Sequence, residues 1–308
     1  VLRISTFLSK FVRNCLKIQM HETTRNILIA DGGSTKVEWL LTDTDGNTKA
    51  SFISDGFNVA RISQKDAVSY FSDVRKKLDP AVFINEIHYY GSGAATPEIC
   101  SAVENAIREV WNPEVAEVQS DMLAACRVTE GTPGIVCILG TGSNSAYFDG
   151  KKMIRNIPPL GFILGDEGGG TALGKRLLGD IFKEIAPKCV CDAFFNETGL
   201  SKGDVIEKVY RSAAPNIFLA SFVPFIKKHL DNSYINSLVR QEFRRFISRN
   251  VARYENSHSY PISYIGSVAY HFRDILREVT ESEGFKVGLI EQHPMSGLKI
   301  YHSGYHVL

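Results

Sequence analysis

The sequence predicts two related α/β domains, the second enlarged by a helical insertion, with a cleft between them. Three observations predict it. Residues 26–120 read as three meandering strands followed by alternating helix and strand. A Gly-rich hairpin pattern opens each half of the chain. Residues 171–253 read mostly as helix.

The elements follow in order. Residues 26–31 and 37–42 are apolar runs flanking Gly32-Gly33-Ser34-Thr35, the pattern of a hairpin. A third strand at 48–54 follows the turn Asp45-Gly46-Asn47. Helical spacing places Val68, Phe71, Val74 and Leu78 on one side of residues 64–78. A strand at 87–91, a helix at 97–111 and a strand at 116–120 come next. The second half starts over: residues 27–35, Ile-Leu-Ile-Ala-Asp-Gly-Gly-Ser-Thr, align with residues 135–143, Ile-Val-Cys-Ile-Leu-Gly-Thr-Gly-Ser, and a second strand is expected at 146–149. Residues 261–265 read as a strand that passes through Gly266-Ser267 into a helix ending near Arg277, and 286–290 as a last strand. The expected domains are 20–130 and 131–295, with 296–308 packing back on the first.

Composition narrows the function classes. The 308 residues are 44% hydrophobic and 22% charged, enough to bury a sizeable core. Lys and Arg number 35 against 34 acids, a net charge of +1, which argues against coating nucleic acid or an anionic membrane. No apolar run approaches the ~18 residues of a membrane span. Six scattered cysteines suit a reduced cytoplasmic enzyme better than a disulfide scaffold. Residues 1–19 carry four bases and no acid, as organelle presequences do; the reading adopted is an extension outside the fold, with the natural start at Met20.

A tight turn of Gly and hydroxyl residues exposes backbone N–H groups that can hold phosphate oxygens. One such turn means little; two at equivalent places point to a nucleotide. Gly169-Gly170-Thr171-Ala172-Leu173-Gly174-Lys175 fits the G-x-x-x-x-G-K pattern, but Arg176 stands where a magnesium-binding hydroxyl belongs and no strand precedes it. Asp121 follows a strand and starts a helix, where it either caps that helix or acts as a base. Asp166-Glu167 lies in the Gly-rich run Gly165–Gly170. Asp31 ends the first strand, where a carboxylate suits a hydrated magnesium ion.

Together these residues resemble the N-acetylglucosamine kinase branch, with the benzoyl-CoA-reductase-activator-type ATPases (BadF/BadG family), of the superfamily joining sugar kinases, heat-shock chaperones and actin. The resemblance covers nearly the whole chain from Met20. It implies two ribonuclease H-like (actin-like ATPase) domains. It also implies phosphate motifs at Asp31-Gly32-Gly33-Ser34-Thr35-Lys36 and Leu139-Gly140-Thr141-Gly142-Ser143-Asn144, an adenosine motif at Gly266-Ser267-Val268, and Asp121 as catalytic base. Asn58, Ser143, Asn144, Gly161 and Asp166 are implied sugar contacts, ATP and Mg²⁺ the cofactors, and Asp31 a ligand to Mg²⁺ through water. One departure stands out: Pro159-Leu160-Gly161 replaces the family's Gly-Trp-Gly.

The function expected is ATP-dependent phosphorylation of an amino-sugar hydroxyl, on N-acetylglucosamine or a related N-acetylated sugar. A cytoplasmic enzyme is expected, with small-molecule sugar and ATP as partners, no nucleic acid, no membrane, and a homodimer left open. The alternative is an activator-type ATPase driving a partner protein, against which the Leu139–Asn144 motif weighs. A sugar-sensing regulator would need a DNA-binding module, for which the residues before Met20 are too few. Cys189 and Cys191 lack the further ligands of a metal site, and none of the eight His is read as a ligand, the His302/His306 spacing included. The basic run Arg240, Arg244, Arg245, Arg249 and Arg253 reads as a solvated helix face.

Overall fold

The computed structural model describes residues 24–33, 36–57, 59 and 63–304. The expected site residues Ser34, Thr35 and Asn58, and the segment 1–19, lie outside the described residues. Two compact units divide the chain: residues up to Ser120 with those from Lys299 on, and Asp121–Leu298.

The first unit holds a five-stranded sheet in the order β3-β2-β1-β4-β5, formed by β1 (Asn26–Gly32), β2 (Lys36–Asp43), β3 (Thr48–Asp55), β4 (Glu86–Gly91) and β5 (Val115–Ser120). β1 is central, antiparallel to β2 and parallel to β4, and Ile27, Leu28, Ile29 and Ala30 are all buried. Such a strand is covered on both faces and reads as an apolar run, not as an alternation.

Helices α1 (Gln64–Arg75) and α2 (Pro97–Trp111) belong to the same unit. The Thr96 side chain caps α2, Pro97 supplies a preset first turn, and Asn112 ends it in the left-handed region at φ 47°. Val103, Ala106, Ile107 and Trp111 form its buried stripe. They meet Trp39, which stacks on Phe52 at 6.0 Å and crosses Phe71 edge-on at 6.4 Å. Each such aromatic contributes on the order of 1.5–3 kcal/mol by burial. α1 stops at Arg75, short of the expected Leu78: a turn bonded from Leu78 N to Arg75 O takes over there.

The second unit repeats the topology. Its sheet is β10-β9-β6-β7-β8, from β6 (Gly134–Leu139), β7 (Ser143–Phe148), β8 (Met153–Ile157), β9 (Pro261–Ile265) and β10 (Lys286–Glu291). Read outward from β1 and from β6, the two sheets match strand for strand: an antiparallel meander on one side and two parallel strands on the other. The internal repeat is therefore structural as well as sequential.

The helices of this unit are α3 (Asp121–Arg127), α4 (Gly161–Leu164), α5 (Gly170–Phe182), α6 (Lys188–Thr198), α7 (Lys202–Tyr210), α8 (Pro215–Ala220), α9 (Val223–Lys228), α10 (Ser233–Arg249), α11 (Ser267–His271) and α12 (Arg273–Ser282). A final helix, α13 (Met295–Ser303), begins here and ends in the first unit.

Three expectations are corrected. β7 begins at Ser143 and not at 146. β8 was not foreseen, because it is an edge strand whose residues Met153–Asn156 are exposed and carry no apolar alternation. The helix after Gly266-Ser267 is two helices, broken where Phe272 leaves helical geometry at φ −110° and buries its ring, and the second runs to Ser282. No helix among the described residues is long and apolar enough to cross a membrane.

Candidate active site

In the second unit, β6 ends at Leu139 and β7 starts at Ser143, leaving Gly140, Thr141 and Gly142 as the turn. The first turn of α5 is seated on its carbonyls. Gly170 N–H donates to Gly140 O at 2.8 Å, Thr171 N–H to Thr141 O at 2.9 Å, and the Thr171 hydroxyl to Thr141 O at 2.7 Å. Gly140 N–H closes onto Gly142 O at 3.0 Å. These bonds fix the turn from its carbonyl side, and of its amides they use only that of Gly140.

The Gly165–Gly170 loop lies against this turn. Ser143 N–H donates to Asp166 Oδ1 at 3.0 Å, and Asp166 itself is left-handed at φ 59°. A Cβ on Gly142 would stand 2.7 Å from that carboxylate, so the position requires glycine. Burial pushes the Asp166 carboxyl above its ordinary value of 3.8, the Ser143 N–H pulls it back, and the Glu167 charge pushes it up again. Glu167 is buried and ion-paired to Arg249 of α10, so the two neighbouring acids have separate partners.

Beside the loop is a pocket whose walls include Pro159, Leu160, Leu164, Glu167, Arg249 and Arg253. Gly161 starts α4 at φ 70° with open space where a Cβ would point. Asn144 Oδ1 accepts from Asn156 Nδ2 at 2.8 Å and from Ser145 N–H at 2.8 Å, which ties it to β8.

Gly266 abuts the end of β6. At φ +125° it lies so close that a Cβ would sit 2.4 Å from Leu139 O, and its N–H donates to Glu291 O at 2.9 Å. Ser267 is the exposed first residue of α11. The second unit thus gathers Gly140–Asn144, Gly161, Asp166 and Gly266-Ser267 around one end of its sheet.

Asp121 is the first residue of this unit and of α3, directly after β5. Its Oδ1 accepts the N–H of the next residue, Met122, at 2.8 Å. Burial raises its carboxyl above 3.8, opposed by the Met122 and Asp121 amides.

In the first unit, Asp31 pairs with Glu38 of β2 and Tyr90 of β4 one residue before the turn. Gly32 and Gly33 follow, and Gly33 N–H closes the hairpin on Lys36 O at 2.9 Å. A carboxylate beside Gly-rich backbone fits magnesium, which takes one or two carboxylates, waters and phosphate oxygens and is not caged by protein.

The chain matches no family model and no curated protein. Among solved structures, a Porphyromonas gingivalis protein that carries the provisional name N-acetylglucosamine kinase is 41% identical, with a TM-score of 0.86, over 91% of this chain and 100% of its own. The chain belongs to the N-acetylglucosamine kinase family.

Two further likenesses show the fold alone. A Chromobacterium violaceum protein, also provisionally named an N-acetylglucosamine kinase, is 16% identical with a TM-score of 0.69, over 90% and 98% of the two chains. A Streptomyces griseus ROK-family glucokinase, solved with glucose and AMPPNP, is 12% identical with a TM-score of 0.53, over 90% and 97%. The actin-like sugar-kinase architecture of the N-acetylglucosamine kinase family is thus the architecture of this chain.

Within this family member the discounted motifs have structural roles. Gly170–Lys175 lies inside α5, and a Cβ on Gly174 would strike Leu219 O at 1.9 Å, so that glycine serves the packing of α5 on α8. Lys175 Nζ donates to Phe162 O at 3.0 Å. The basic run on α10 is not simply a solvated face. Arg240 pairs with Glu278, Arg244 with Glu283 at 3.3 Å, Arg245 with Glu242 at 3.0 Å, and Arg249 with Glu167. Glu242 sits three residues from Arg245 on α10, but Glu278, Glu283 and Glu167 are far away in sequence, which is why the run alone did not reveal them.

Proposed function

We propose that this chain is an ATP-dependent kinase that phosphorylates a hydroxyl of an amino sugar, N-acetylglucosamine or a related N-acetylated sugar. The observation that carries this reading is the place of Asp121, a carboxylate at the β5–α3 junction whose pKa burial pushes up. The 41% likeness to the Porphyromonas protein supports it.

Asp121 accepts the proton of the sugar hydroxyl as that oxygen bonds to the γ-phosphorus. The bond from the γ-phosphorus to the bridging oxygen breaks, and ADP leaves. Phosphoryl transfer of this kind is mainly positioning and charge stabilisation. The Thr141 and Gly142 amides receive phosphate oxygens, since the hydrogen bonds that hold the turn employ the Gly140 and Ser143 amides instead. Gly32, Gly33, Ser34, Thr35 and Lys36, matched to the first phosphate motif by resemblance, contact phosphate as well, and Gly266 and Ser267 adjoin the adenosine. Asp31 would hold Mg²⁺ through water, and the ion would neutralise phosphate charge. Asp166, Asn58, Ser143, Asn144 and Gly161 contact the sugar. The enzyme acts in the cytoplasm.

Leu160 stands exposed at φ 59° where the family has tryptophan, so the sugar surface has lost a large flat wall. This favours a modified amino sugar over N-acetylglucosamine itself. A coupled ADP-release assay over a panel of amino sugars, with a no-sugar control, tests the reading. ADP release that requires an N-acetylated sugar supports it, and release independent of every sugar indicates an ATPase.

A further inference from the structure

The first unit contains a second cluster of chemistry-bearing side chains, within its own sheet and the end of α13. Glu86, His88 and Tyr90 alternate along β4 and so share one face. Glu117 of β5 is the cross-strand partner of His88 in the parallel register. His302, from the last turn of α13, stacks on His88 with ring centroids 3.8 Å apart and planes 26° apart. One ligand atom from each of His88, Glu117 and His302 lies within 4.8 Å of the other two.

We propose that His88, Glu117 and His302 form a binding site for a zinc-class divalent cation, which fastens the end of α13 to the first unit's sheet. Two imidazoles and one carboxylate are a zinc ligand set that leaves a fourth position for water. At zinc bond lengths of about 2.0–2.1 Å, tetrahedral ligand atoms stand about 3.3 Å apart, so the site closes on an ion by movements of about an ångström.

The surroundings fit this role. Metal-bound imidazoles are oriented by hydrogen bonds from outside the ligand set. Here Glu86 lies 3.2 Å from His88 Nε2 while Glu117 lies 2.7 Å from Nδ1, and the Tyr90 hydroxyl is 2.7 Å from His302 Nε2. His88 is only 7% exposed and Tyr90 is fully buried. Two imidazoles stacked face to face repel each other when both are protonated, whereas a cation at their edges binds both in the neutral form and uses the Glu117 charge. Tyr90 and His302 are 212 residues apart in sequence, so the set is invisible to any spacing rule. None of these residues belongs to the proposed kinase machinery, so the site stands or falls separately from that function.

The test is a Zn²⁺ titration of the chelator-treated full chain against a chromophoric competitor, with Co²⁺ absorption bands as a second readout. Wild type is expected to bind one ion at micromolar or tighter affinity, to show four-coordinate Co²⁺ bands, and to gain melting temperature with Zn²⁺. Tyr90→Phe, which removes only an outer partner, should weaken binding by roughly 10–100-fold. His302→Gln and Glu117→Gln should weaken it more and lose both the bands and the thermal gain. His88→Gln alters a buried position and can fail to fold; the His302 variant, at a half-buried helix end, keeps the test decisive. Cys189→Ser, in the exposed part of α6, should bind as wild type does. No stoichiometric Zn²⁺ binding by wild type, undiminished binding in His302→Gln, or loss in Cys189→Ser would each overturn the proposal and leave the cluster as an imidazole–carboxylate network.

Discussion

The Asp166 carboxylate accepts the Ser143 amide at 3.0 Å, joining the Gly165–Gly170 loop to the strand that leaves the Gly140–Gly142 turn. A side chain assigned to the sugar thus also holds the backbone beside a turn assigned to phosphate. Asp166→Ala removes both functions and orphans an amide, at a cost of about 1–3 kcal/mol. Asp166→Asn keeps an acceptor oxygen. Calorimetry should therefore show sugar binding weakened at least tenfold in both, with a clear loss of melting temperature only in the alanine variant.

Asp121→Asn should lower kcat by roughly 10²–10⁴ and leave the KM for ATP nearly unchanged, because it removes a proton acceptor and not a phosphate ligand. Steady-state kinetics checks this, and a wild-type kcat would remove Asp121 from the mechanism.

The same residue predicts a pH dependence. Burial raises its carboxyl above 3.8 in the folded chain, so activity should fall on acidification at a higher pH than for an ordinary aspartate. Stability runs the other way. The contribution of a raised carboxyl is fully present below 3.8 and lost as pH rises through the folded value. At neutral pH, Asp121→Asn should therefore melt above wild type, and the difference should vanish below 3.8. Melting curves across pH read this directly.

Gly142→Ala would place a methyl group 2.7 Å from the Asp166 carboxylate and must displace one of them. The KM for ATP should rise more than that for sugar, as it should when Thr141 is replaced. An unaltered nucleotide KM in both variants would mean that the phosphates bind elsewhere.

Much of this was legible in the sequence, for identifiable reasons. The two hairpins announced themselves because apolar runs bracket Gly-rich turns, and α2 because Thr96, Pro97 and Asn112 mark both its ends. β8 was not legible, since an exposed edge strand needs no apolar face. Asn144 was read as the end of a phosphate motif and as a sugar contact, but its bond to Asn156 depends on that unseen strand. Arg249 read as part of a solvated helix face, and only the fold brings it to Glu167. The cluster at His88 and His302 depends on the return of α13 to the first sheet, which no local pattern encodes.

The most direct measurement is ³¹P NMR of the full chain incubated with ATP, magnesium and an N-acetylated amino sugar. The account predicts a sugar-phosphate resonance that grows in step with ADP and is absent with Asp121→Asn. Growth of inorganic phosphate alone, at the same rate with and without the sugar, would contradict it.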